Sequence, residues 1–180
     1  MIEVKNLVKS FKDGPNETRV LKGIDFTAAS GEFVAIMGRS GAGKSTLLYQ
    51  ISLLDEPTSG EIRINGKEAH KMSEHEKMLF RLAEFGYVFQ DYALLPELTA
   101  LENVALPLYM QGASRAAADA KATVALERVG LGKRLNNLPG QLSGGEQQRV
   151  SISRAIAHKP DILFADEPTA NLDKESSATV

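Results

Sequence analysis

Short stretches of apolar residues alternate with longer segments whose apolar positions recur at helical spacing, and the two periods divide the chain into strands and helices. Residues 1–11 and 20–28 read as two strands joined by a polar turn over Asp13–Thr18. Glu32–Met37 is a short apolar run of strand type, and Lys44–Leu54 has the pattern of a helix. Glu61–Ile64 alternates and ends on Asn65-Gly66, a turn dipeptide. Ser73–Phe85 predicts a charged amphipathic helix and Gly86–Gln90 a short strand with glutamine at its end. From about Leu98 to Val129 the chain is expected to be mostly helical, most clearly over Ala113–Ala125, with Pro107 as a break. Asn136–Gly140 reads as a loop, Gln147–His158 as a helix closed by Lys159-Pro160, and Ile162–Ala165 as an apolar strand. No internal repeat or low-complexity tract interrupts this order.

Composition narrows the classes. The chain has 180 residues, 43% of them hydrophobic, enough for one good core with a small appended part. A net charge of −2 argues against an electrostatic nucleic-acid binder, so no nucleic acid is expected as partner. Cysteine is absent, which excludes disulfides and thiolate metal sites. No apolar run approaches the roughly 18 residues of a membrane span, and Met1-Ile-Glu-Val-Lys5 is no signal peptide. A membrane role is therefore expected to run through a partner.

Three motifs carry chemistry. Gly38, Arg39, Ser40, Gly41, Ala42, Gly43, Lys44, Ser45 and Thr46 spell G-x-x-x-x-G-K-S-T between a strand-type run and a helical one. Such a loop turns tightly on its glycines and brings backbone N–H groups against phosphate oxygens. The lysine supplies charge for the outer phosphates and Ser45 a hydroxyl for Mg²⁺, with the helix N-terminus facing the anion. Ile162–Ala165 ends abruptly in Asp166 and Glu167, carboxylates placed where ligands meet the carboxyl ends of parallel strands. Asp166 suits Mg²⁺, and Glu167 is placed to take a proton from an attacking water. Leu142-Ser143-Gly144-Gly145-Glu146 has capping-box spacing, yet places two glycines in the first helical turn. That costs about 1 kcal/mol per residue relative to alanine, a cost that a docked phosphate on bare N–H groups would offset.

Together these motifs resemble, in order and spacing along nearly all the chain, the nucleotide-binding domain of ABC transporters. Leu142–Arg149 resembles the ABC signature, with Glu146 where glutamine is usual. Gln90 resembles the Q-loop glutamine, and Ala170–Asp173 the D-loop. Phe11 sits where the family places an aromatic ring on adenine, and Val20 joins the same nucleotide-binding set. The resemblance implies an α/β P-loop NTPase fold of ABC type. Such a fold has a mixed sheet, an N-terminal antiparallel β subdomain and an inserted helical subdomain. It implies one ATP-binding domain over 1–180, with 1–90 plus 155–180 as ATPase core and 91–154 as helical, signature-bearing part. ATP and Mg²⁺ are the implied cofactors, with Lys44, Gln90 and Glu167 catalytic and Ser45, Gln90 and Asp166 around the metal. Two such domains would sandwich two ATP molecules, each P-loop facing the opposite protomer's Ser143, Gly144, Gly145 and Glu146. The implied partners are a second copy or paired ATPase subunit and an integral-membrane permease, placing the chain on the cytoplasmic face of a membrane.

Gly86–Gln90, Leu94–Ala100, Glu102–Pro107 and Asp166–Asp173 further resemble the lipoprotein-release, macrolide-export and antimicrobial-peptide-export group. This implies an ATP-hydrolysing transporter subunit for export or lipoprotein extraction. Tyr92, Leu94 and Leu95 are expected to help line a groove for a short helix of the permease; the alternative for Leu94, Leu95 and Leu98 is buried core. The family continues past Asp173 into another strand and a loop bearing a histidine, and neither His70, His75 nor His158 matches that residue. The chain is thus expected to be a fragment of a longer domain, or a natural truncation with impaired turnover. The competing functions are a non-catalytic nucleotide-binding fragment and an ABC ATPase outside transport.

Overall fold

The computed structural model describes residues 1–170 of the chain. They form two compact units, Met1–Leu79 and a second that begins at Phe80.

The first unit is built on a hairpin, β1 (Ile2–Asp13) and β2 (Asn16–Ala28), turning at Gly14-Pro15. The polar turn expected over Asp13–Thr18 shrinks because ladder pairing reaches Asp13 and Asn16. The antiparallel sheet runs β2-β1-β3-β4, with β3 at Ser59–Ile64 and β4 at Lys67–Glu68. Alternation puts Ile2 and Val4 inward, and a bulge between Val4 and Leu7 then brings Leu7 and Val8 both into the core. Asn6 takes the left-handed conformation at that bulge (φ 47°), and its N–H donates to Asp25 Oδ1 at 2.7 Å. Helix α1 (Lys44–Ile51) buries Leu47, Gln50 and Ile51. The Gln50 side chain donates to Asp55, which also pairs with Lys9 at 2.7 Å, so this buried amide is held by a charged anchor.

Glu32–Met37, expected as a strand, makes no ladder among the described residues. Phe33 is 94% exposed and Met37 89% exposed. The run has strand propensity, but a strand exists only where a neighbour takes its N–H and C=O groups, and none of the six described strands pairs with it.

Helix α2 (Glu74–Glu84) leads into the second unit. There β5 (Phe85–Val88) and β6 (Ile162–Ala165) pair in parallel, Phe85 with Ile162 and Val88 with Ala165. Phe80, Phe85 and Phe164 stack edge to face at 5.3 and 5.1 Å between centroids. Helices α3 (Ala100–Met110), α4 (Arg115–Arg128) and α5 (Gly144–Ile156) enclose Val104, Leu108, Ala118, Ala122, Leu126, Leu131 and Val150. Pro107 does not break α3. Val104, Ala105 and Leu108 are all buried around it, and that packing outweighs the lost N–H. The break falls instead at Gln111-Gly112, before the N-cap Ser114.

Candidate functional site

In the first unit the phosphate-type loop ends on Gly43, the N-cap of α1, at φ 90° and with no side-chain cap. A Cβ there would stand 2.9 Å from Val20 Cγ1, so both the left-handed backbone and the close approach of β2 require glycine. No acidic residue occupies the first turn of α1, which keeps the positive helix end unopposed by a carboxylate. Lys44 Nζ lies 3.3 Å from Gly38 O and 3.4 Å from Arg39 O, folding the lysine back over its own loop. Ala42 N donates to Arg39 O at 3.1 Å, closing the turn that carries Ser40 and Gly41. Ser45 and Thr46 occupy the first turn of α1 and are half-buried. Phe11, on β1, is 47% exposed with Lys9 Nζ 5.0 Å from its ring centre, a π face open to a flat ligand rather than core.

In the second unit the parallel register brings three of the expected residues to one edge. Val88 pairs with Ala165 and Val88 O accepts from Asp166 N at 3.0 Å, so Gln90 and Asp166-Glu167 leave the sheet at the same carboxyl end. Asp166 is 3% exposed while Gln90 and Glu167 are exposed. Glu167 has φ 44°, a left-handed conformation costing a non-glycine residue roughly 1–2 kcal/mol.

Helix α5 begins three residues before the periodic run from Gln147, at the start that the Ser143–Glu146 capping-box spacing gives. Glu146 N donates to Ser143 Oγ at 3.3 Å, and Glu146 Oε2 accepts from Ser143 N at 2.8 Å. Gly145 is buried and Gly144 exposed in the first turn. Glu146 also pairs with Arg134 at 3.0 Å, an ion pair that glutamine at this position could not make. The Ser143 N–H, then the Ser143 hydroxyl and Arg134, hold the Glu146 carboxyl below the usual range against the opposing effect of burial.

The apolar cluster after Gln90 divides. Leu94 packs against the helical core and Tyr92 is half-buried, whereas Leu95 is 44% exposed. Arg154 of α5, which no sequence motif marked, donates to the carbonyls of both Tyr92 and Ala93. Tyr92 and Ala93 are consecutive left-handed residues at φ 64° and 47°, worth roughly 1–2 kcal/mol of strain each. Of the D-loop, Asn171, Leu172 and Asp173 lie outside the described residues. Among the described residues no cluster of acidic, histidine or cysteine side chains forms a ready-made metal cage. Ser45, Gln90 and Asp166 each carry a side-chain oxygen, the donor type that Mg²⁺ takes.

A glycine-lined helix start, an aromatic face, and carboxylates at the end of a parallel strand define a nucleotide-binding protein of P-loop type. The family model described as ABC transporter matches residues 21–170. An uncharacterised ABC transporter ATP-binding protein of Methanocaldococcus jannaschii is 50% identical over all of this chain and 80% of its own length. The lipoprotein-releasing system ATP-binding protein LolD of Shewanella oneidensis is 46% identical over all of this chain and 78% of its own. Among solved structures, the ATP-binding cassette MJ0796, a dimer in a post-hydrolysis state bound to ADP and Pi, superposes with a TM-score of 0.94. It is 41% identical, covering 99% of this chain and 79% of that one. The chain belongs to the ABC transporter family, whose ATP-binding domain it forms.

Proposed function

We propose that the chain hydrolyses ATP to drive a membrane permease for export or lipoprotein extraction, working as a pair of such domains. The Phe11 ring and Val20 receive adenine, and the backbone of Gly38–Thr46 surrounds the phosphates while Lys44 balances their charge. Ser45, Asp166 and Gln90 are the oxygen donors that would hold Mg²⁺. When bound, the ion offsets charge on the phosphate oxygens. Glu167 accepts a proton from water as its oxygen bonds to the γ-phosphorus. The bridging P–O bond breaks, and ADP leaves with the electron pair. Ser143, Gly144, Gly145 and Glu146 of one copy meet the γ-phosphate held by the other, so a two-fold pair completes two sites. Residues 1–90 with 155–180 act as the ATPase core, and 91–154 as the helical part that reaches the permease through the loop after Gln90.

One observation carries this reading: the parallel pair β5–β6 delivers a buried aspartate, an adjoining exposed glutamate and a glutamine to a single strand end. No described helix is long and apolar enough to cross a membrane, in keeping with a chain that works on the cytoplasmic face through its permease. The likeness to a lipoprotein-releasing ATP-binding protein supports the extraction role. A second reading, binding without turnover by the 180-residue chain itself, is favoured by Glu32–Met37, which joins no ladder among the described residues. ATP turnover of this chain, measured beside a version extended through a further strand and a histidine, separates the two.

The roles are tested with Glu167→Gln and Lys44→Ala. Glu167→Gln is expected to keep ATP affinity, lose turnover by about a hundredfold or more, and elute as a dimer at saturating ATP. Lys44→Ala is expected to lose ATP binding. Wild-type turnover in Glu167→Gln would remove Glu167 from the base role, and a monomer at saturation would refute the paired arrangement.

A further inference from the structure

The loop after Gln90 is held from outside. Ala93 N donates to Asp91 O at 2.7 Å, a tight local turn, and Tyr92 and Ala93 both sit in the left-handed region. Strained backbone of this kind persists only where its surroundings over-determine it. Two contacts do so, and both come from α5. The Arg154 guanidinium spans the two carbonyls, one Nη donating to Ala93 O and the other to Tyr92 O at 2.9 Å. At the opposite end of the same helix, a Cβ on Gly144 would meet Tyr92 Oη at 3.1 Å, so the ring reaches the first turn. Gly144 and Arg154 stand roughly 15 Å apart along the helix axis. Tyr92 therefore meets α5 twice, its hydroxyl beside Gly144 and its carbonyl on the guanidinium that Arg154 extends back along the helix.

Resting on the reading that Gln90 serves the reacting nucleotide, we infer that Arg154 is a positioning residue for Gln90. Its forked grip on Tyr92 and Ala93 fixes the loop bearing Gln90 to the helix that Ser143 caps. Gln90 and the glycine-lined start of α5 then shift as one body. The chemistry calls for arginine. Two carbonyls side by side match the fixed fork of a guanidinium, whereas an ammonium is a single point charge on a flexible stem. Released from the fork, the strained turn relaxes, and Gln90 moves with it.

The test measures ATP turnover for Arg154→Lys, Gln90→Ala and the double variant, with hydrogen exchange alongside. Arg154→Lys is expected to lower kcat about tenfold, the scale on which outer partners of a metal site act, while KM for ATP stays within about twofold. Residues 91–95 should exchange faster and residues 145–152 as before. In the Gln90→Ala background the lysine should change kcat by less than about twofold, because residues acting through one another are not additive. Equal factors in both backgrounds, or unchanged turnover with loop protection intact, would overturn the inference. A Gln90→Ala variant with wild-type kcat would refute the role of Gln90 itself, and this inference with it. Should Arg154→Lys fail to fold, Arg154→Gln, which keeps a planar donor and removes the half-buried charge, takes its place in the same comparison.

Discussion

Gly86 lies where β5 passes under the last turn of α5, and a Cβ there would stand 2.2 Å from Ala155 O and 2.9 Å from Leu163 Cδ1. The first of these is backbone of a helix packed against α3, α4 and β5 and cannot give way cheaply, whereas the exposed Leu163 side chain can turn aside. Gly86→Ala is expected to lower unfolding free energy by about 3 kcal/mol, the upper part of the range for overpacking a tight core. Denaturant unfolding measures it, and a loss below about 0.5 kcal/mol would show that helix and strand are not in contact. The sequence offered Gly86 only as the first residue of a strand. By contrast Lys44, Asp166 and Glu167 were legible as chemistry, because their meaning lies in fixed offsets along the chain. Arg154 was not, since its partners Tyr92 and Ala93 are remote in sequence and are backbone carbonyls, which every residue carries.

Among the elements, α5 was placed too late by pattern alone, and the capping box explains the difference. A Ser–Glu pair three apart satisfies N–H groups that two glycines otherwise weaken. At the far end His158 Nε2 lies 3.0 Å from Phe85 O, tying the close of α5 to the start of β5. Burial lowers the His158 pKa from its ordinary value, and the hydrogen bond to Phe85 opposes this in part. A histidine kept neutral in the folded chain binds fewer protons than in the unfolded one. Its stabilisation is therefore complete above the ordinary histidine pKa and is lost as pH falls through the lower folded value. Thermal melts between pH 7.5 and 5 (about the range in which histidine titrates) should show a declining Tm that His158→Gln flattens. An equal slope in both proteins would remove His158 from the account.

At the scale of the whole molecule, the apolar run Glu32–Met37 marks where local reading stops. Its composition asks for a strand, but among the described residues no ladder receives it. In the 180-residue chain its amides should exchange with the fast-opening set, while that of Val4, buried between β2 and β3, exchanges last. Protection at residues 33–37 equal to that of Val4 would mean that the run has found a partner.

By itself the sequence determined the glycine-rich loop ahead of α1, the carboxylates at a strand end, the Ser–Glu cap and the family. Each of these is a short pattern of residue types whose physics is local: a turn that needs glycine, a helix end that needs a cap. Only the tertiary structure decided that Glu32–Met37 finds no ladder among the described residues, that Pro107 stays inside a helix, and that Arg154 grips the loop after Gln90. Those outcomes turn on which surfaces meet across long stretches of chain, and burial and pairing there outweigh the preference of any single residue.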